Sequence, residues 1–494
     1  MPAVTNGKPN IVFVVSDQHR FDWMGCTGTP FVQTPAMDRM AREGTRFTNC
    51  YCNAPLCGPS RMAMMSGRHP YTLGVYINEH SLSSDVPTMA HALGLAGYET
   101  VLCGRMHFNG PDQRHGYQKR LVGDITRCYA GGPHTDFGEL ARSNQGGMVL
   151  LETAGVRDTA LLQYDEAVTQ GCEQYLRERA SSDESRPLFL TVGWYGPHNP
   201  YCCPRELFDA AMEGMQACGD EPLPLEEQAH PWARSCNAYL PYRSATREQI
   251  RRARAGYAGA VGVIDRRLAR VIEAAESLPG ETIVVYTSDH GEAAGDRGMF
   301  TKGTFYENSS HVPMLWMQLN RDAATQPVPT GQTIDANISL LDLPSTFADI
   351  ADAPCLPRQD GESIKPLLDH PSTQNGDHWQ QRPVLADFML QFAGKTLMPP
   401  MRMVRRGPHK LNYFHTYERP QLFDLVSDPT ESHDLATDPA HAELVAELRG
   451  IALDGWDPEV VQADALKRDE DMLYMARWGE KVGMGPLETW GKTS

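Results

Sequence analysis

Short apolar runs recur along the chain, separated by amphipathic stretches. Ile11-Val12-Phe13-Val14-Val15 is β-branched and aromatic and stops at Ser16-Asp17, the pattern of a strand buried on both faces of a parallel sheet. Tyr98 to Cys103, Leu188 to Val192 and Thr282 to Tyr286 have the same texture. Helical patterns lie between them. Met37 to Arg42 has Thr34-Pro35 as a start and Gly44 as a stop, and Thr88 to Leu95 is a second candidate. Ile250, Ala253, Tyr257, Val261, Ile264, Leu268 and Val271, spaced by three or four, trace the buried stripe of a long helix. Strands alternating with helices predict an α/β fold with a large, mostly parallel sheet flanked by helices.

Around residue 380 the pattern changes. Val384 to Phe388, Met401 to Val404, Lys410 to Phe414 and Gln421 to Leu425 follow one another without helices between them. A helix over Ala442 to Leu448 closes the series. The expected organisation is one large α/β domain over residues 1–380 and a smaller C-terminal antiparallel α+β subdomain over 381–494.

Composition narrows the function. A chain of 494 residues, 41% hydrophobic and 22% charged, can bury a large core without disulfide or metal staples. Its 45 basic and 62 acidic residues leave a net charge of −17. Such a field repels nucleic acid and anionic membranes, so neither is an expected partner. It repels small anions as well, so any anion site must be built locally by a metal or a few cations. The twelve cysteines show no paired CxxC spacing, which argues against a zinc ribbon or a secreted disulfide scaffold. Residues 1–9 lack an apolar core, and no apolar run approaches 18 residues. The expectation is therefore no signal peptide, no membrane span, and a cytoplasmic location with free thiols.

In open α/β sheets, ligands bind beyond the carboxyl ends of the strands. Asp17 follows the first strand and Asp289-His290 the fourth, and carboxylates plus an imidazole are ordinary ligands for a divalent cation. Taken singly, each could as well be a turn or loop residue. A sharper signal is Cys57-Gly58-Pro59-Ser60-Arg61. Pro59 suits the first turn of a helix, which puts Cys57 at an N-terminus that favours anions, with Arg61 on the same face. A cysteine so placed is an activated nucleophile or part of an anion site.

Cys-x-Pro-Ser-Arg resembles the signature of the type I sulfatases of the alkaline phosphatase superfamily. The resemblance spans nearly the whole chain. Asp17, Cys57 to Arg61, Val101-Leu102-Cys103-Gly104-Arg105-Met106-His107-Phe108 and Thr287-Ser288-Asp289-His290-Gly291-Glu292 occur in the family's order. Lys302 in Phe300-Thr301-Lys302-Gly303, and Gln421 to Leu425 with Asp428-Pro429, follow as in the family. Asp17-Gln18, where other sulfatases carry Asp-Asp, is most similar to choline-sulfatase-like and phosphonate-monoester-hydrolase-like members.

The resemblance implies an alkaline-phosphatase-like fold and hydrolysis of a small sulfate ester. It implies that a formylglycine-generating maturation enzyme converts Cys57 to formylglycine. Asp17, Asp289, His290 and the modified Cys57 would bind one divalent cation, Ca2+ or Mn2+, with Gln18 standing where a further aspartate is usual. A diol oxygen would attack sulfur, expel the alcohol and leave a covalent sulfated hemiacetal. His107 would be the base that resolves it, and Arg61 would hold the diol. Arg105, His198 and Lys302 would surround the sulfate and leaving oxygen, and Asn78 would face the substrate. Arg105 stands where most sulfatases have lysine, which keeps the charge and alters the geometry.

Two other activities compete with this reading. One is a phosphonate monoester or phosphodiester hydrolase with the same nucleophile; such members tend to carry threonine and tyrosine where this chain has His107 and Arg105. The other is a catalytically silent binding protein, should Cys57 stay a thiol. The alcohol stays open among choline-like, aryl and sugar groups, with Trp194, Tyr195 and Tyr201 as candidates for a quaternary-ammonium cage. Cys202-Cys203 are expected as free thiols near the pocket rim, and His19, His69, His80, His91, His115 and His311 as structural histidines. The fold resemblance also suggests a homo-oligomer, a dimer or tetramer. Residues 465–494, with Met472, Leu473, Tyr474, Trp478 and Trp490, would serve as a docking tail that borders a neighbouring active site.

Overall fold

Every residue of β1 (Asn10–Asp17) is buried, and the alternation of side chains along a strand accounts for it. Ile11, Phe13 and Val15 face one apolar core with Met62, Met64, Met65, Leu343 and Phe347. Val12 and Val14 face the other, with Met37, Met40, Val168, Ile264 and Leu268. A strand whose central run, Ile11 to Val15, has no polar position thus has both faces covered by helices. The computed structural model describes residues 7–125, 147–224, 230–232, 242–320, 328–392, 394–482 and 490.

The large sheet also contains β2 (Thr45–Tyr51), β3 (Glu99–Gly104), β4 (Lys119–Arg120), β5 (Leu188–Pro197), β6 (Thr282–Ser288), β7 (His311–Leu319) and β8 (Gln332–Ser339). Their order is β8-β2-β7-β6-β1-β5-β3-β4. β1 pairs in parallel with β5 and β6, β3 with β4 and β5, and β2 with β8. Only β7 runs against both its neighbours among these pairs, so the sheet is mixed but mostly parallel.

Strands β2, β7 and β8 carry no sequence signal like that of β1. Thr45-Arg46-Phe47-Thr48-Asn49 interrupts its apolar residues with polar ones. β7 contains Pro313, which cannot donate to a ladder. The β2–β7 register shifts between Phe47, opposite Met314, and Cys50, opposite Val312, which accommodates the proline.

Helices α1 (Pro35–Glu43), α2 (Cys57–Ser66), α3 (Met89–Leu95), α4 (Ala160–Ala180), α5 (Arg247–Ala275) and α6 (Asp342–Ala351) cover the sheet. The four C-terminal strands β9 (Val384–Phe392), β10 (Lys395–Arg406), β11 (His409–Phe414) and β12 (Gln421–Asp424) form an antiparallel sheet of consecutive neighbours. Val404, Leu411 and Leu422 pack on Leu448 and Ala452 of α7 (Ala442–Leu453). Phe388, Met401, Met403 and Phe414 pack against Tyr51, Phe305 and Tyr306. The second sheet is thereby fastened over the chain that leaves β6. A Cβ on Gly303 would lie 2.9 Å from the Phe388 ring.

Much of the expected tail is helix α8 (Pro458–Val482), which packs on the C-terminal sheet of its own chain. Its Asp469 accepts the Gly394 N–H at 2.5 Å. Tyr474, Met475 and Trp478 remain exposed. Trp490 packs on Tyr164 with ring centroids 5.2 Å apart and donates its N–H to the Asp124 carbonyl at 2.8 Å. Among the described residues, no helix is long and apolar enough to cross a membrane.

Candidate active site

The carboxyl ends of four neighbouring strands and the start of one helix converge. β1 ends in Asp17, β6 leads to Asp289-His290, β3 to Arg105 and His107, and β5 to His198. α2 opens on Cys57, in the first turn as Pro59 predicts, and Met62, Met64 and Met65 anchor it in the core. One ligand atom from each of Asp17, Cys57, Asp289 and His290 lies within 4.8 Å of the others. The Cys57 Sγ is 3.1 Å from His290 Nε2 and 3.5 Å from Asp17 Oδ1.

The surrounding contacts prepare these atoms for a cation. His290 Nδ1 donates to the Gly291 carbonyl at 3.0 Å, so Nε2 turns its lone pair to the cluster. Arg61, wholly buried, donates through Nε to Asp289 Oδ2 at 2.7 Å and through Nη2 to Asp17 Oδ2 at 3.3 Å. Arg105 Nε takes the same Asp17 oxygen at 2.7 Å. The arginines thus hold the Oδ2 atoms, while the Oδ1 atoms face the cluster, that of Asp289 also accepting the His290 N–H at 2.9 Å. Burial alone would raise the Asp17 pKa, but Arg105 and Arg61 hold it well below the usual range. Burial and Asp17 push the Cys57 thiol up to about 12, so the unmodified residue is neutral near pH 7. Two anionic carboxylates, a lone-pair imidazole and a fourth side chain, all buried, fit a divalent cation.

Gln18 sits in left-handed backbone at φ 69°, with its N–H on Asp289 Oδ1 at 3.0 Å. Its amide nitrogen donates to Glu292, and its amide oxygen accepts from Lys302 Nζ at 2.5 Å. Both ends of the amide are therefore engaged away from the ligand cluster. Glu292 is buried, which raises its pKa, and its other oxygen accepts the Ala294 and Thr301 N–H groups. Lys302 also donates to His198 Nε2 at 2.6 Å, while His198 Nδ1 donates to the Asn199 carbonyl. His198 is thus a neutral acceptor at Nε2, its pKa lowered by burial and Lys302.

His107 lies beside Arg105, whose Nη2 donates to its Nδ1 at 3.0 Å. Arginine always donates, so the neutral ring carries its proton on Nε2. Burial and Arg105 lower its pKa to about 3. Asn78 Oδ1 accepts the Gly58 N–H at 2.8 Å, fixing the loop above the first turn of α2. Asn109 continues that contact by donating to the Asn78 and His80 carbonyls.

Of the three aromatic candidates for a cage, Tyr201 lies beside Glu292, and Tyr195 borders the arginine side of this network. Its ring lies under the Arg105 guanidinium at 4.7 Å and 4.8 Å from the His198 ring. Trp194 is buried with its Nε1 on Thr169 of α4, and Tyr201 is buried beside Tyr257. A quaternary ammonium finds no cage among them. Cys202 and Cys203 are buried in a short ladder with Gly155-Val156, so they are free thiols but not at a rim. Glu292, Asp124 and Asn109 were not singled out as site residues by sequence. Glu292 stands inside the Asp-His-Gly-Glu string, whereas Asp124 and Asn109 lie in loops without any periodic signal.

His80 yields a test of the scaffold. It is buried, its Nδ1 accepts the Tyr76 N–H, and burial lowers its pKa to about 4. Below pH 6.5 the unfolded chain takes a proton that the folded one refuses down to about pH 4, so stability falls as pH drops through that window. The contribution is on the order of 3 kcal/mol. His80→Gln should flatten this part of the curve when urea unfolding is compared at pH 7 and pH 4.5; an unchanged slope refutes it.

Comparison with known proteins bears on this site. Residues 9–353 match the family model described as Sulfatase, and residues 295–453 match that of the N-sulphoglucosamine sulphohydrolase C-terminal region. The chain is 32% identical to a choline-sulfatase of Rhizobium meliloti (strain 1021) over 486 residues, covering 93% of this chain and 89% of the relative. It is 26% identical to an arylsulfatase of Clostridium perfringens over 476 residues, covering 90% and 94%. The structure of a phosphonate monoester hydrolase from Silicibacter pomeroyi superposes with a TM-score of 0.70 at 21% identity, covering 91% and 95% of the two chains.

Proposed function

The chain belongs to the sulfatase family and is a sulfuric-ester hydrolase, and we propose that Cys57, once converted to formylglycine, is its nucleophile beside one divalent cation held by Asp17, Asp289 and His290. One observation carries the proposal: the Cys57 Sγ lies 3.1 Å from His290 Nε2 and 3.5 Å from Asp17 Oδ1, on the ligand atoms themselves. Asp17, Asp289 and His290 would hold the cation, which would supply Lewis-acid activation of the formylglycine hydrate and neutralise charge on the sulfate. The mixed oxygen and imidazole donor set suits Mn2+ as well as Ca2+.

The side chains of this protein do the rest. Arg61 keeps both carboxylates in register and its charge beside the nucleophile. Lys302 carries N–H donors at the edge of the cluster, where they can meet the sulfate or the departing oxygen, and Gln18 aims it. His198, neutral and accepting, holds the other side of Lys302. Arg105 bridges Asp17 and His107. Drawn to an incoming sulfate, it would release Nδ1 of His107, the lone pair that His107 needs to accept a proton as base. Asn78 holds the start of α2 and leaves its amide nitrogen for the substrate. The substrate is a small sulfate ester. The choline-sulfatase relative suggests a choline-like alcohol, but Trp194, Tyr195 and Tyr201 are committed elsewhere.

The remaining expectations stand as part of this proposal: a maturation enzyme that modifies Cys57, a catalytic domain up to residue 380, a cytoplasmic location and a homo-oligomer. Mass spectrometry of the Cys57 peptide from active protein tests the nucleophile. The thiol should be replaced by an aldehyde. Fully active protein carrying only cysteine would rule the proposal out.

A further inference from the structure

We propose that Asp124 is the positioning residue for Arg105 and His107; this rests on the reading of those two side chains as parts of the sulfatase site. Asp124 is buried, just beyond the short edge strand β4. Its Oδ2 accepts two successive backbone N–H groups, Met106 at 3.0 Å and His107 at 2.8 Å. Its Oδ1 lies 3.5 Å from Arg105 Nη1, and Arg120 Nη2 is 3.8 Å from Oδ2. One carboxylate thus grips both the backbone and the cation of the segment that leaves β3.

That grip is needed. His107 is held at φ 61°, in the left-handed region, which costs a residue with a side chain about 1–3 kcal/mol. Two N–H groups converging on one anion compensate for it. The backbone so held aims the imidazole at Arg105 Nη2, and Arg105 Nε reaches Asp17. Asp124 is itself fastened: the Gly123 carbonyl accepts the Tyr164 hydroxyl at 3.0 Å, and the Asp124 carbonyl accepts the Trp490 N–H at 2.8 Å.

Asparagine at this position keeps an acceptor for the two N–H groups but turns an NH2 toward a guanidinium. Asp124→Asn should therefore lower kcat for an aryl sulfate by about 10–100-fold, as changes behind a reacting group do. Metal content and thermal midpoint should stay near those of the unchanged protein. In a His107→Ala background the same change should cost clearly less than in the wild type, because only its action through Arg105 remains. Wild-type turnover in Asp124→Asn overturns the proposal. So does an equal, additive loss in the His107→Ala background, or a loss matched by missing metal or folded protein. Full turnover in His107→Ala alone would overturn the reading of His107 on which the proposal rests, a result distinct from any failure of Asp124.

Discussion

Cys57→Ala should fold normally and hydrolyse sulfate esters at least about 10⁴-fold more slowly than the matured protein. The expectation follows from how little else Cys57 does. Its side chain is buried at the first position of α2, where alanine is a good helix former, and its contacts are with the ligand cluster. The helix stays anchored by Met62, Met64 and Met65 on one core and by Ser60, whose hydroxyl donates to the Asp289 carbonyl at 2.5 Å. Removing the side chain therefore takes away the proposed nucleophile and little stability. Steady-state rates and a thermal melt of the same preparation check this. A variant within tenfold of the wild-type rate would remove Cys57 from the reaction.

The second large effect concerns the cation. Chelation should abolish turnover and lower the thermal midpoint, and adding back Ca2+ or Mn2+ should restore both, since a ligand bound only by the folded state stabilises it. The stripped protein should nonetheless remain folded, because Arg61 and Arg105 still neutralise Asp17 and Asp289. Asp289→Asn should do more damage than chelation. It removes a ligand and also one of the two carboxylates paired with the buried Arg61, which keeps only Asp17 at 3.3 Å. Calorimetry and metal analysis of that variant separate the two losses. An Asp289→Asn protein that keeps its metal and its activity would mean that the cluster is not the metal site.

The parts of the fold that were legible in the chain are those buried on two faces. β1, β3, β5 and β6 read as apolar runs because helices cover both sides of them. β2 and β7 did not, since polar residues and Pro313 break the pattern, and a register shift absorbs the proline. The C-terminal sheet was legible because its strands follow one another with only turns between. In the site, Asp17, Cys57, Asp289 and His290 were readable as strand-end and helix-start residues, and they meet. The family strings also named Arg105, His107 and Lys302, which lie in the same hydrogen-bond network. What sequence could not convey is which hydrogen bonds set each proton. His198 accepts because the Asn199 carbonyl takes its other nitrogen, and Gln18 is engaged by Glu292 and Lys302. The Gln18 contacts join residues 274 and 284 positions apart.

They also alter the meaning of the −17 charge. The acidic surplus repels anions at a distance, yet Arg61, Arg105 and Lys302 crowd beside two aspartates at the strand ends. Substrate capture is therefore local. The most direct test is a steady-state comparison of kcat/KM for an aryl sulfate and an aryl phosphate diester, using protein whose Cys57 has been converted and whose metal has been restored. A clear preference for the sulfate ester is the predicted result. A preference for the diester by orders of magnitude would contradict the assignment as a sulfuric-ester hydrolase.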